Sequence, residues 1–303
     1  MIGERISHAR SPAYFDACRL RVFLATLCLN EQEWIPRLYA QHREWPGLVG
    51  WCFVEAADLM YAVSSPHRVS DEGLSVDGTT DVLRTIAAED LVVTHVRHGF
   101  AKHGADLAQG KCSARNRYLR VADEVRPDVV VVLDADEFYS HMDQVKVNQT
   151  VLRFAEMSYQ SFVFRQRQIW RPASIRDQPL LRHEVRGGFW DIPHCRAWTW
   201  ERGMRYQTNH NTPVGAKGPR DRHRLVENAT QCVHLGWAAS LPDRAAKNRY
   251  YETRGESSDP KRQWYTESRA AWETWTPRRP NLPRGATVVP YDGPIPECFQ
   301  GEK

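Results

Sequence analysis

The stretch Val129-Val-Val-Val-Leu-Asp134-Ala-Asp136-Glu137-Phe-Tyr139 decides the predicted fold of this chain. Its first five residues are aliphatic, and so short and uniformly apolar a run is typical of a strand buried on both faces in a parallel sheet. The acids that follow would lie at the carboxyl edge of the sheet, where open α/β folds bind ligands. Neighbouring carboxylates repel one another unless a cation lies among them, and their hard oxygen atoms favour Mg²⁺ or Mn²⁺. An acidic loop that caps the next helix is the alternative interpretation.

Strand and helix patterns alternate before this run. Asn30 is the predicted N-cap of the first helix, with Glu33 at the spacing of a capping box. The order predicts a parallel sheet with right-handed crossovers, as in a Rossmann-like half. The strand patterns cover Arg21–Leu29, Val49–Val54, Leu91–Val96 and the Val129 run, and the later helix patterns cover Gly78–Glu89 and Gly110–Val125.

The alternation breaks down in the second half of the chain. A short apolar segment, Val233–Gly236, follows a long irregular region rich in Arg, Trp, Pro and Gly. The other patterns are a helix near Asp143–Met157, a strand over Ser161–Ile169, and helices over about Pro242–Glu252 and Lys261–Trp275. We expect one continuous α/β domain whose parts are an N-terminal arm (1–20), a Rossmann-like nucleotide-binding half (21–140), an irregular half that holds the acceptor of the chemistry (141–275) and a Pro-rich tail (276–303) that wraps the surface.

Composition excludes several protein classes. With 303 residues, 42% hydrophobic and 26% charged, the chain has the composition of an ordinary globular protein. It has neither an apolar signal segment at its start nor an apolar run of about 18 residues, so we expect no secretion and no membrane span. Seven cysteines without a Cys-x-x-Cys pair favour free thiols in a reducing cytoplasm, of a bacterium or of a phage-infected cell, and disfavour a zinc site.

Charge is divided unevenly along the chain. Residues 1–150 carry 16 Lys+Arg against 21 Asp+Glu, a net of −5, whereas residues 151–303 carry 25 against 16, a net of +9. Eight of the eleven tryptophans also lie in the second half. Arginine forks bind phosphate and stack on bases, so an anionic or stackable acceptor is one interpretation and a solvated basic face is the other. The arginines that could contact a nucleic-acid backbone are Arg165, Arg167, Arg171, Arg220, Arg222 and Arg224.

Three blocks of the sequence resemble GT-A fold glycosyltransferases of the family-2-like type. Ala25-Thr-Leu-Cys-Leu-Asn30-Glu31 resembles their opening strand and Asn-Glu turn. Lys111-Cys-Ser-Ala-Arg115-Asn116 and the later Asp134-Ala-Asp136-Glu137 are similar to their Ala-Arg-Asn helix and Asp-x-Asp motif. Val233-His234-Leu-Gly236-Trp237 and Lys247-Asn-Arg249 are similar to their late His-x-Gly segment and basic helix. The resemblance runs from Arg21 to about Arg254 and implies the GT-A type of α/β fold.

The resemblance also implies a nucleotide-diphosphate sugar as donor, bound with Mn²⁺ or Mg²⁺. Asp136 would bind the ion that bridges the two phosphates, and Asp134 would contact the ribose or the metal shell. His234 would complete the metal or pyrophosphate site, as the late histidine does in the family. Arg115 and Lys247 would bind the diphosphate.

The base and ribose of the donor would lie against Thr26, Asn30, Glu31 and Glu55. Glu55 stands where relatives carry an Asp that reads uracil, so a UDP-sugar such as UDP-glucose is the expected donor.

The general base is harder to place. An inverting transfer needs a carboxylate close to the acceptor hydroxyl. Where relatives often carry a His-Glu pair, this chain has His210-Asn211, and an amide cannot accept a proton. The acids nearby are Asp191 and Glu201.

The acceptor prediction rests on the basic, tryptophan-rich half of the chain. Hydroxymethylated pyrimidines in DNA, as modified by phage DNA glycosyltransferases, are the best match, with the modified base flipped out. A bacterial surface glycan or a lipid-linked sugar is the alternative. Two other classes stay open: a nucleotidyltransferase, which would need a Gly- and Arg-rich loop where Asn30-Glu31-Gln32 stands, and a non-catalytic nucleic-acid binder.

Overall fold

The computed structural model describes residues 16–100, 107–170, 181–185, 195–207, 211–215, 218–219, 224–237, 246, 249–250, 286–290 and 296–299. Its strands are β1 (Val22–Cys28), β2 (Leu48–Ala57), β3 (Val93–Phe100), β4 (Val129–Val132), β5 (Glu137–Tyr139), β6 (Ser161–Trp170), β7 (Leu181–Val185), β8 (Cys195–Thr199), β9 (Val214–Gly215), β10 (Gly218–Pro219), β11 (Arg224–Trp237) and β12 (Ala286–Pro290). Its α-helices are α1 (Trp34–His42), α2 (Leu59–Ser64), α3 (Thr79–Glu89), α4 (Leu107–Val125) and α5 (His141–Ala155). Two short 3₁₀ helices cover Pro66–Arg68 and Glu297–Phe299.

Ten of the described strands form one mixed sheet. Strands β3, β2, β1 and β4 lie side by side in that order and are all parallel, which confirms the predicted alternating half. Beyond β4 the sheet continues through β8, β6, β7 and β12 with antiparallel pairings. Strand β11 pairs parallel with β6 and antiparallel with β5. The molecule is therefore the predicted α/β fold, with a Rossmann-like parallel part followed, in the described residues, by strands of mixed direction.

Both faces of the parallel part are covered, because alternate residues of each strand enter different cores. Leu24, Trp51 and Val131 pack in the core beneath α1, α3 and α5. Phe23, Val54 and Val132 pack on the other face against α4. The valine run is completely buried, as expected of a strand with helices on both sides.

Several predicted elements differ from the structure. Asn30 is not the N-cap of α1, because it adopts a left-handed conformation (φ 56°) and the helix begins only at Trp34. The segment Val233–Gly236 is the end of the 14-residue strand β11. The tail does more than wrap the surface, since β12 pairs with β7 and forms an edge strand of the sheet. The helix predicted over Lys261–Trp275 lies outside the described residues, as does all of Pro242–Glu252 except 246 and 249–250.

Candidate active site

Strand order reverses direction between β1 and β4, at whose carboxyl ends we expect a ligand site. The chain moves from β1 outward to β2 and β3, then returns through α4 to β4 on the other side of β1. Such a reversal of direction is where open α/β sheets bind ligands, because the loops that leave the two strands diverge. The pairing of these strands extends to Leu133, whose N–H donates to Ala25 O (3.0 Å). Asp134 is therefore the first residue of the motif beyond the sheet.

Asp136 and His234 come together at this edge, although they lie far apart in the sequence. Strand β5 pairs with β11 so that Glu137 faces His234, and Leu235 N–H donates to Asp136 O (2.8 Å). His234 Nε2 lies 3.4 Å from Asp136 Oδ1. The two side chains retain 19% and 15% of their exposure, so solvent or a ligand can reach them. These are the two residues for which the sequence predicts a shared metal ion.

A carboxylate oxygen and an imidazole nitrogen this close fit two neighbouring ligands of one divalent ion. Within the described part of the chain, His, Cys, Asp and Glu side chains form no group of three or more arranged to hold a metal. A site with few protein ligands nevertheless suits Mg²⁺ or Mn²⁺, which keep waters and bind substrate phosphates in nucleotide sites. Asp136 and His234 are thus the residues that would hold such an ion.

Asp134 and Glu137 are held by a residue that the sequence analysis missed. Arg196 Nη2 donates to Asp134 Oδ2 (2.7 Å) and also to Glu137 Oε1. Gln166 Nε2 donates to the same Glu137 oxygen (2.6 Å), and Asp134 N–H donates to Glu137 Oε2 (3.1 Å). The only signal for Arg196 in the sequence is a charged residue within the otherwise mostly apolar strand Cys195–Thr199.

Glu137 is an unusual carboxyl group, since its exposure is 0%. Burial raises the pKa of Glu137 above that of an ordinary glutamate, the cation of Arg196 lowers it, and the field of Asp134 raises it again. Arg196 therefore provides the nearest positive charge that compensates this buried acid.

Arg115 lies close to the same group of residues. It is buried on α4, its guanidinium lies 5.6 Å from the centre of the Tyr206 ring, and the charge of Asp134 acts on it. Its neighbour Asn116 bonds both backbone groups of Tyr206: Nδ2 donates to Tyr206 O (2.9 Å) and Oδ1 accepts from Tyr206 N–H (2.7 Å). The charge of Arg115 is thus within electrostatic reach of Asp134, and Asn116 fixes the adjoining loop.

Of the residues predicted to contact the nucleoside, Thr26 lies within β1, and Asn30 and Glu31 stabilise the loop that follows it. Thr26 is buried and its Oγ1 accepts from Trp51 Nε1 (3.1 Å). Asn30 Nδ2 donates to Arg68 O (2.7 Å), and the N–H of Glu31 donates to Thr79 Oγ1 (2.7 Å). These bonds join the Asn-Glu turn to the segment before α3. Nucleoside contacts by Thr26, Asn30 and Glu31 stay predictions.

Glu55 lies two residues before the end of β2, in a fully buried position. Its Oε1 accepts from Ser75 N–H (2.8 Å) and from Thr80 Oγ1 (2.7 Å), and its Oε2 lies 3.1 Å from His95 Nε2. Burial acts to raise the pKa of Glu55, but the bonds from His95, Thr80 and Ser75 outweigh it and lower the pKa to about 2. Three protein groups already engage this carboxylate, so it anchors the loop before α3. Uracil recognition by Glu55 stays a prediction.

Of the two candidate bases, the structure describes the position of Glu201 but not that of Asp191. Thr199 pairs with Val129 and Trp200 N–H donates to Asp128 O, so Glu201 lies beyond the start of β4, at the edge of the sheet opposite Asp134. The five residues of chain from Val129 to Asp134 span roughly 16 Å. Glu201 is therefore not a candidate base for chemistry at Asp136. Asp191, and also Lys247, lie outside the described residues.

A polar cleft of about 930 Å³ opens beside α4 and the end of β3. Asp71, Glu72, His98, Ser113, Arg117 and Tyr206 are among its lining residues. Arg117 Nε donates to His98 Nδ1 (3.1 Å), so the ring proton lies on Nε2 and points to Ser113 Oγ (3.2 Å). A histidine that donates to a serine does not remove its proton, so this pair is not an activated nucleophile.

The arginines proposed for a nucleic-acid backbone are only partly described. Arg165 and Arg167 are half-buried on β6, and Arg167 Nε donates to Gln231 Oε1 (3.2 Å). Arg171, Arg220 and Arg222, together with the side chain of Arg224, lie outside the described residues. In the parts of the chain that the structure describes, no helix combines the length and apolarity needed to cross a bilayer.

Comparison with known proteins yields distant structural likenesses only. No protein-family model matches the chain, and no curated protein sequence does. The mannosyltransferase PcManGT from Pyrobaculum calidifontis, in complex with GDP-Man and Mn²⁺, is 16% identical with a TM-score of 0.41, over 87% of this chain and 88% of that one. S. aureus TarS (residues 1–349) is 8% identical with a TM-score of 0.39, over 84% of this chain and 70% of that one. A mycobacterial protein is 13% identical with a TM-score of 0.38, over 83% of this chain and 80% of that one. Likenesses this weak do not establish a function.

Proposed function

We propose that this protein is a metal-dependent glycosyltransferase that moves a sugar from a nucleotide-diphosphate sugar to an acceptor hydroxyl. The observation that carries the proposal is the approach of His234 to Asp136 within 3.4 Å at the carboxyl edge of a parallel sheet. This edge, at the reversal of strand order, is where an α/β fold binds a nucleotide. The mannosyltransferase among the similar structures binds GDP-Man and Mn²⁺, which agrees with a donor and an ion of these kinds.

The proposed mechanism assigns each residue a task. Asp136 and His234 would hold Mn²⁺ or Mg²⁺, and such an ion, when bound, neutralises the charge that builds on the departing diphosphate. Arg115 supplies a further positive charge near Asp134, and Lys247 is proposed to do the same. Asn30 and Glu31 hold the loop after β1 in place beside the donor. With Glu201 at the wrong edge, Asp191 is the proposed base of an inverting transfer.

For the donor and the acceptor, we propose a UDP-sugar such as UDP-glucose and a hydroxymethylated pyrimidine in DNA. The donor proposal rests on the resemblance of the first half to family-2-like enzymes, and the acceptor proposal rests on the net charge of +9 in residues 151–303. A bacterial surface glycan or lipid-linked sugar is the alternative acceptor, because tryptophans also stack on sugar rings.

The function is tested by measuring the release of nucleoside diphosphate from a panel of UDP- and GDP-sugars with Mn²⁺, with Mg²⁺ and with EDTA. We expect one donor to be cleaved only with a divalent ion. Asp136→Asn should lower this rate at least about a hundredfold, because metal stabilisation of the leaving group contributes several kcal/mol.

The matched control is Glu124→Gln, which makes the same change from carboxylate to amide at an exposed position near the far end of α4. Its rate should equal that of the unmodified protein. Cleavage that continues in EDTA, or an Asp136→Asn protein as active as the control, would contradict the metal-dependent mechanism.

A further inference from the structure

Arg196 occupies a position from which it reaches two of the three acids that follow β4. Ala197 pairs with Val131 in the antiparallel ladder, so Arg196 lies one residue further toward the carboxyl end of β4. The arginine is only 6% exposed. One terminal nitrogen, Nη2, donates both to Asp134 Oδ2 (2.7 Å) and to Glu137 Oε1.

Asp136 is arranged differently from Asp134 and Glu137. Asp136 lies between these acids in the sequence, yet its carboxylate lies beside His234. Glu137 is completely buried and is bonded by Gln166 and by the backbone of Asp134 in addition to Arg196. The consecutive acids are therefore divided between an arginine on one side and a histidine on the other.

This division has an electrostatic consequence. Three carboxylates around one divalent ion would more than neutralise its charge, and they would fill positions that phosphate oxygens need. An ion that is already neutralised stabilises a departing diphosphate poorly. Pairing two of the carboxylates with a guanidinium leaves the ion with a net positive charge toward the donor.

We propose that Arg196 is a positioning residue that holds Asp134 and Glu137 away from the divalent ion and so leaves Asp136 and His234 as its protein ligands. The inference rests on the proposed metal-dependent function and goes beyond it, since it assigns to Arg196 the task of keeping Asp134 and Glu137 from the ion. It also gives a buried arginine a purpose other than stability.

Binding of Mn²⁺ alone to the purified protein, followed by electron paramagnetic resonance, tests the proposal without any turnover. Asp136→Asn should weaken binding at least about tenfold, because it removes a ligand of the ion. Asp134→Asn should change the affinity less than about threefold, because Arg196 already engages this carboxylate. The two variants carry the same chemical change two residues apart, so each is the control of the other.

A second variant removes the guanidinium of Arg196 from Asp134. Arg196→Gln together with Glu137→Gln removes one positive and one negative charge, and it leaves no unpaired buried charge that would unfold the protein. Without the guanidinium beside it, Asp134 should then bind the ion and raise the affinity about tenfold, since more carboxylate ligands tighten such sites. Adding Asp134→Asn to this double variant should abolish the gain, although the same change matters little in the unmodified protein.

A merely structural role for Arg196 predicts unchanged or weaker binding in the double variant, and thermal melting would show whether its fold persists. Loss of Mn²⁺ binding in Asp134→Asn as large as in Asp136→Asn would overturn this inference and leave the proposed function intact. Failure of the unmodified protein to bind Mn²⁺ would overturn both.

Discussion

At the scale of single residues, His42 shows how a titratable group is kept neutral inside the protein. It is completely buried, its Nε2 accepts a bond from Tyr139 N–H (3.1 Å), and its Nδ1 therefore carries the proton and donates to Leu38 O (2.9 Å). Burial lowers the pKa of His42 from 6.5 to about 3. Both ring nitrogens are thus used in joining α1 to β5.

This pKa predicts a loss of stability in mild acid. Between pH 6.5 and about 3 the unfolded chain protonates His42 and the folded protein does not, so the free energy of unfolding falls as the pH falls through this window. The slope from this one residue approaches about 1.4 kcal/mol per pH unit. His42→Gln keeps a donor and an acceptor but cannot titrate, so its stability should depend less on pH.

The measurement is urea denaturation of both proteins at several pH values from 7.5 to 4. The difference in free energy of unfolding between the unmodified protein and His42→Gln should shrink or reverse as the pH falls. The other titrating groups are common to both proteins and cancel in the comparison. Parallel curves over the whole range would contradict the assignment of His42 as a buried neutral group.

At the scale of elements, the short helix Glu297–Phe299 packs against β5, the strand that follows Asp136. Phe299 is buried and its ring centre lies 4.8 Å from that of Phe138, the middle residue of β5. Glu297 accepts a bond from Gln41 Nε2 (2.7 Å) and longer ones from the N–H of His141. The element therefore braces the strand that directly follows Asp136.

Removing this brace should destabilise the protein. Phe299→Ala leaves a cavity against β5 and should cost about 3 kcal/mol in the free energy of unfolding. Met157→Ala, at a side chain that is 60% exposed, is the control and should cost less than about 0.5 kcal/mol. Urea denaturation midpoints compare the two, and superimposable curves would show that Phe299 contributes no more than a surface residue.

At the scale of the whole molecule, the opposite charges of the two halves matter most for the acceptor. If the half with net charge +9 binds a DNA backbone, each neutralised phosphate releases counterions, with a log–log salt slope of about −0.9. Six such contacts imply roughly a thousandfold loss of affinity between 50 and 200 mM salt. Binding of a neutral oligosaccharide should hardly change over the same range.

Transfer assays complete this test with hydroxymethylated DNA, unmodified DNA and an oligosaccharide as acceptors. Sugar should appear on the hydroxymethylated DNA alone. Its absence there, with every donor that the protein cleaves, would discard the DNA acceptor and favour the glycan.

The sequence by itself determined the parallel half of the fold and the place of the acids. Strand and helix periods are local properties, so the valine run before Asp134 predicted a buried strand whose end lies at the ligand-binding edge. The pairing of Asp136 with His234 was also within reach, although only through resemblance to a family. The geometry places the two side chains 3.4 Å apart, and their shared metal ion stays a proposal.

Only the tertiary structure decided how the acids are partnered. Arg196 reaches Asp134 and Glu137 because β8 runs antiparallel to β4 in one particular register, and a shift of one residue would turn it to the other face. The same register carries Glu201 to the opposite edge, which removed it as a base. The carboxylate of Glu55 likewise accepts hydrogen bonds from Ser75 and Thr80, at the loop before α3 and at the start of that helix. Register between distant strands leaves no local signal in the sequence, since it is set by the packing of side chains that meet only in the folded protein.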